Sequence, residues 1–122
     1  MTQDNAKSYR ELVVWKRSME LVREAYKLTQ HLPKEEIYAL SSQIRRAAVS
    51  IPSNIAEGNG RNTTKDYVRF LSVARGSKYE LDTQLQICVD LQYLTLEQID
   101  NAIRLSDEIG RMLNVLITKL GG

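Results

Sequence analysis

The sequence predicts an all-α fold, a four-helix bundle in up-down-up-down order. Three observations predict it. Apolar residues recur at alternating three- and four-residue steps through four separate windows, the pattern of amphipathic helices. Two capping-box spacings, Ser8 with Glu11 and Thr95 with Gln98, mark helix starts. Only two prolines and six glycines interrupt 122 residues, too few for the many turns of a β-rich fold. At this length a single domain over residues 1–122 is expected, with helices over about 9–32, 35–57, 63–94 and 96–120. Short links make consecutive helices antiparallel neighbours.

Helix one begins after Ser8 and ends at Pro33. Leu12, Trp15, Met19, Val22 and Tyr26 form one apolar stripe. Val14, Leu21, Ala25, Leu28 and Leu32 form a second, which squeezes the charges into an arc ~100° wide. Two stripes are more than one bundle core needs, so a second partner surface is expected. Helix two begins near Glu35 or Glu36, acids that suit a helix N-terminus. Its apolar face is Leu40, Ile44, Ala47, Ala48, Ile51 and Ile55. Pro52 lacks the amide that would bond Ala48, which predicts a kink, and Gly58 is placed to end the helix. Helix three starts at Thr63 or Thr64, with Asp66 in its first turn. Tyr67, Phe70, Leu71, Ala74, Leu81, Leu85, Cys88 and Leu91 line its core side. Gly76 costs about 1 kcal/mol against alanine inside a helix, which implies that another backbone passes close by. Helix four follows Thr95, again with two stripes: Ile99, Ile103, Leu113, Ile117 and Leu120, then Ala102, Leu105, Ile109, Met112 and Leu116.

The lone Cys88 excludes an internal disulfide framework and any cysteine metal cluster, and a packed core thiol is its expected role. His31 is alone near a helix end and makes no metal motif. No metal and no cofactor are expected. The first residues lack the apolar segment of a signal peptide, and no apolar run approaches the ~20 residues of a membrane span. A cytoplasmic location is the expectation. Net charge is only +2, but it is uneven. Residues 41–78 hold seven basic and two acidic side chains; residues 79–110 hold one basic and seven acidic. In the predicted topology one end collects Glu35, Glu36, Asp90, Glu97 and Asp100. The other collects Lys7, Arg10, Arg61, Lys65, Arg69, Arg111 and Lys119.

The stretch Ile44 to Gly58 is the most distinctive. Pro52, Asn54 and small residues fill it, and its only charges before Glu57 are Arg45 and Arg46. Such a helix suits tight packing rather than a free surface. Together with Tyr9-Arg10-Glu11-Leu12-Val13-Val14-Trp15, Gln43 to Ala48, Ser50 to Gly58, Phe70-Leu71, Ala74 to Ser77 and Glu80-Leu81, it resembles the four-helix-bundle proteins encoded in intervening sequences of 23S ribosomal RNA genes. The resemblance covers nearly the whole chain. It implies a ring-shaped homo-oligomer, a pentamer. It also implies likeness to the accessory bundle proteins of diversity-generating retroelements, and through them contact with nucleic acid. The family brings no catalytic residues.

Arg45 and Arg46 have two readings. Their stems can cover apolar surface while the heads meet water, Glu57 or Glu80; or they line a subunit interface or an anionic ligand path. The candidate nucleic-acid-binding residues are Arg45, Arg46, Arg61, Lys65, Arg69 and Arg75, because guanidinium and ammonium groups neutralise phosphates irrespective of sequence. Few aromatics interleave with them. Tyr67 and Tyr79 are the near ones, so stacking on unpaired bases has no support at this level. Arg46, Ser50, Asn54, Glu57, Ser77 and Glu80 form a candidate structural polar cluster between helices two and three. No phosphate loop, nucleophile elbow or paired catalytic carboxylates can be picked out. The expected function is that of a non-enzymatic accessory or scaffold protein on RNA or DNA. The alternative is a pure protein-interaction module for a polymerase or reverse transcriptase.

Overall fold

The computed structural model describes residues 8–122. Four helices carry the fold: α1 (Val13–Thr29), α2 (Leu40–Asn59), α3 (Thr64–Asp90) and α4 (Leu96–Lys119). Each packs on its sequence neighbours, α1 closes against α4, and diagonal pairs make no backbone approach. The α2–α3 seam is the most extensive. The two ends hold the links expected of them. Tyr93 Oη donates to Glu36 Oε2 at 2.9 Å, joining the α1–α2 and α3–α4 links. At the other end a methyl built on Gly122 would meet Val68 Cγ1 at 2.8 Å, so the C-terminus sits beside the start of α3.

The first helix departs from expectation. Tyr9–Glu11 is a single 3₁₀ turn, and Leu12 is extended before α1 begins. Ser8 Oγ accepts the Arg10 amide at 3.1 Å, so it caps that turn alone and no box closes with Glu11. The helix also ends at Thr29, whose hydroxyl donates to the Tyr26 carbonyl at 2.8 Å. Glu35 and Glu36 lie in a second 3₁₀ turn, Lys34–Glu36, ahead of α2. Glu36 still serves that helix, since its Oε1 accepts the Leu40 amide at 3.2 Å. Helix α2 continues unbroken through Pro52 and through Gly58, ending at Asn59 with Gly60 as its C-cap.

Thr63 caps α3 by accepting the Asp66 amide at 3.1 Å, and Thr95 and Gln98 form the expected reciprocal box on α4. Helices α3 and α4 end alike. Tyr93 N–H bonds Cys88 O at 2.9 Å around Gln92, and Gly122 N–H bonds Ile117 O at 2.9 Å around Gly121. Both central residues are left-handed, φ 64° at Gln92 and φ 89° at Gly121. Glycine takes that conformation freely, whereas a side chain resists it by about 1–2 kcal/mol. Gln92→Gly is therefore expected to stabilise the fold by up to about 1 kcal/mol, read as a raised urea midpoint. An unchanged midpoint would mean that the glutamine side chain compensates for its own strain. This early stop also leaves Leu91 half-exposed instead of in the core.

The expected face of α2 is buried throughout. The second stripe, Val14, Leu21, Ala25 and Leu28 on α1 with Leu32 just beyond it, enters the core. The first stripe stays partly exposed, and its Trp15, Met19 and Val22, with Tyr9, Val49 and Pro52, wall a side groove of about 310 Å³. Gly76 is exposed with nothing within 4 Å of an added methyl, so no backbone passes there. Gly58 makes the close approach instead: its added methyl would meet Phe70 Cβ at 2.8 Å and Tyr67 Cδ1 at 3.0 Å. No helix among the described residues is long and apolar enough to cross a membrane.

Candidate nucleic-acid interface

The α2–α3 turn gathers two of the expected cations around one ring. Arg61 and Arg69 each lie 4.6 Å from the Phe70 ring centroid, a cation–π distance. Arg61 Nη2 also meets Glu57 Oε2 at 2.7 Å, and Arg69 Nη2 meets Asp66 Oδ1 at 3.6 Å. Lys65 is exposed and has no carboxylate within ion-pair distance among the described residues. Arg75 is turned to α4, where its Nη1 donates to Asn114 Oδ1 at 2.8 Å. Arg10 lies over Tyr9, and Lys7 falls outside the described residues. Arg111 and Lys119 rim a groove of about 510 Å³ between α1 and α4 whose floor is Val13, Val14, Met112, Val115 and Leu116. Beside these groups burial raises the Tyr67 phenol, against a hydrogen bond from Asn59 that lowers it.

Arg45 and Arg46 lie apart from that turn, on the outer face of α2. They share a cleft of about 620 Å³ with Tyr26, Ile37, Tyr38, Ser42, Val49 and Ser50. Arg45 stacks 4.8 Å from the Tyr26 ring, and its Nε donates to Thr29 Oγ1 at 3.0 Å. On the far side Arg46 and Ser50 also line a second cleft of about 510 Å³ with Gln43, Ala47 and Glu80. Arg46 and Glu80 make no ion pair there.

The expected polar cluster divides. Ser50 and Ser77 share a hydrogen bond of 2.7 Å across the α2–α3 seam. Asn54 Nδ2 donates to Ser50 O at 2.8 Å and to Ser50 Oγ at 2.9 Å. Arg46 and Glu80 stay outside this trio, and Glu57 turns away to Arg61 because the last turn of α2 brings the two within four residues.

A buried charge network on the α3–α4 side goes beyond what the sequence pattern led us to expect. Lys78 is 6% exposed; its Nζ donates to Asp82 Oδ2 at 2.8 Å and to Asp107 Oδ1 at 3.4 Å. Ser106 Oγ donates to Asp82 Oδ1 at 2.6 Å. Desolvation lowers the Lys78 ammonium, but the hydrogen bonds and charges of Asp82 and then Asp107 outweigh it and raise the group. A nucleophilic lysine needs the opposite shift, so this network holds charge in place rather than supplying chemistry. The Lys78–Asp82 spacing of four residues, beside core Leu81 and Leu85, was the available signal. Cys88 is fully buried, and burial followed by the charge of Glu36 pushes its thiol up to about 11. No group of three or more metal-ligating side chains occurs among the described residues.

Comparison with known families matches residues 10–115 to the 23S rRNA-intervening sequence protein. The chain belongs to that family. The matched span of this intervening-sequence protein takes in all of α1, α2 and α3 and most of α4. Its bundle is similar to the crystal structure of a protein of unknown function from the S23 ribosomal protein family of Bacteroides thetaiotaomicron. The two chains are 27% identical with a TM-score of 0.80, over 86% of this chain and 98% of the other. No curated protein matches. Membership in the 23S rRNA-intervening sequence family brings no catalytic assignment to Arg45, Lys78 or any other residue described above.

Proposed function

We propose that this chain is a non-enzymatic, nucleic-acid-associated accessory or scaffold protein, working in the cytoplasm as a ring-shaped homo-oligomer, a pentamer. The observation that carries this reading is the segregation of charge. Of the seven cations in residues 41–78, only Lys78 is buried. Arg45, Arg46, Lys65 and Arg75 have no carboxylate within ion-pair distance among the described residues. Cations left unneutralised attract a phosphate backbone and release its counterions. A ring repeats a modest patch several times and raises avidity by multiplying the same sites. Exposed Val13 and Val115, 56% and 62% accessible in the α1–α4 groove, support self-association, as surplus apolar surface does in general. That groove also favours the second reading, a module that docks a polymerase-type protein and binds no nucleic acid.

The test is binding of the purified protein to labelled structured RNA and duplex DNA across a salt series. Affinity should fall steeply with salt. Each phosphate that the protein no longer neutralises flattens the slope on duplex DNA by about 0.9, so joint charge reversal of Arg61, Lys65 and Arg69 should flatten it by about 3 per engaged protomer. No binding at low salt would sink the nucleic-acid reading and leave the protein partner, whose capture should then fail on altering Val13 or Val115.

A further inference from the structure

The cleft between α1 and the start of α2 joins two chemistries that lie apart in the sequence. Arg45 and Arg46 supply charge; Tyr26 from α1 and Tyr38 from the link supply rings; no carboxylate among the described residues lines the space. Arg45 is positioned before any ligand arrives. The Thr29 hydroxyl, fixed by its own bond to Tyr26 O, accepts from Arg45 Nε, and the Tyr26 ring lies under the guanidinium. Among the described residues those contacts leave the Nη fork without a hydrogen bond, and a guanidinium fork fits phosphate oxygens in pairs. Arg46 is exposed on the same wall and has no ion pair among the described residues. Tyr38 is 96% exposed and makes no hydrogen bond or ring contact among the described residues. A tyrosine so fully presented offers both faces of its ring. The nearest acid of the link, Glu36, is already committed by both oxygens, to Leu40 N and Tyr93 Oη. Glu80 stands in the neighbouring cleft, beyond Arg46.

We infer that this cleft seats one unpaired nucleotide of a single-stranded nucleic acid, its phosphate on Arg45 and Arg46 and its base on Tyr38. The inference rests on the nucleic-acid reading above and narrows it. Base faces are covered in a duplex and open in a single strand, and an exposed ring beside a cation is the pairing that single-strand sites use. A volume of about 620 Å³ lies within the range of small-ligand clefts.

The experiment titrates the full chain with labelled oligoadenylate of about ten nucleotides, within the span of single-strand sites, and with a duplex of equal length. Single strand should bind more tightly than duplex. Tyr38→Ala should weaken it by about five-fold to 150-fold, the range for removal of one stacking ring, while Tyr38→Phe retains it. Arg46→Ala should reduce the salt slope by about 0.7, one phosphate on a single strand. Tyr38 is so exposed that neither substitution disturbs the core, which circular dichroism checks. Retention of full affinity by Tyr38→Ala, with loss on reversing Arg61, Lys65 and Arg69, would overturn the cleft and leave the broader function standing. Absence of any nucleic-acid binding at low salt would overturn both. A change of oligomer mass on Tyr38→Ala, without a change in oligoadenylate affinity, would give the cleft to a second copy of the chain.

Discussion

Lys78→Met is expected to destabilise the fold by about 3 kcal/mol, the lower end of the cost of breaking a buried ion pair. The ammonium is nearly enclosed, and its stem occupies the space that Gly110 leaves: a methyl there would meet Lys78 Cε at 2.9 Å. Methionine can refill that space. It cannot answer Asp82, which would keep the Ser106 hydroxyl and lose its cation. Asp82 and Asp107 retain some water, which is why the lower end applies. Adding Asp82→Asn should restore most of the loss, since the neutral amide oxygen still accepts from Ser106. The sign with pH is fixed by the raised ammonium. The pair's contribution is fully present below the unfolded lysine value of 10.5 and is lost as pH rises through the higher folded value, so wild type and variant should converge in strong alkali. Urea midpoints of the three proteins against pH decide the matter. Equal midpoints near neutrality would reduce Lys78 to a packing stem.

Gly58→Val should cost about 2–3 kcal/mol through overpacking. Valine recovers a few tenths of a kcal/mol of helix propensity over glycine, far less than the clash. The atoms in the way are Phe70 Cβ at 2.8 Å and the Tyr67 carbonyl at 3.3 Å, which no rotamer change clears, and the Tyr67 ring at 3.0 Å. The seam between α2 and α3 must widen, and the Ser50–Ser77 bond with it. Gly76 is the control. Its alanine variant meets open space and should gain about 1 kcal/mol. If thermal unfolding ranks the two substitutions the other way, the close approach is misplaced.

These two glycines show where sequence reasoning reached its limit. A glycine inside a helix signals that something comes near, but not which glycine, because that depends on how the neighbouring helix is rotated. The apolar face of α2, the Thr63 and Thr95 caps and the end-sharing of the links were legible because each depends on local spacing. Helix starts at Tyr9 and Glu35 were misjudged because capping signals cannot say whether one turn or six will follow. In the candidate site, Ser50, Asn54 and Ser77 were legible as one face of a seam. Tyr26 and Tyr38 were not grouped with Arg45 and Arg46, since only the folding of the link onto α2 brings them together. Lys78 entered only the charge tally of residues 41–78, because charge alone does not reveal burial.

One carboxylate has a wider reach than its size suggests. Glu36 holds the first amide of α2 with one oxygen and the tyrosine that follows α3 with the other. The two turns at that pole are thus a single latch. Neither can swing out alone, and the loop bearing Tyr38 is pinned at its root while its ring stays free.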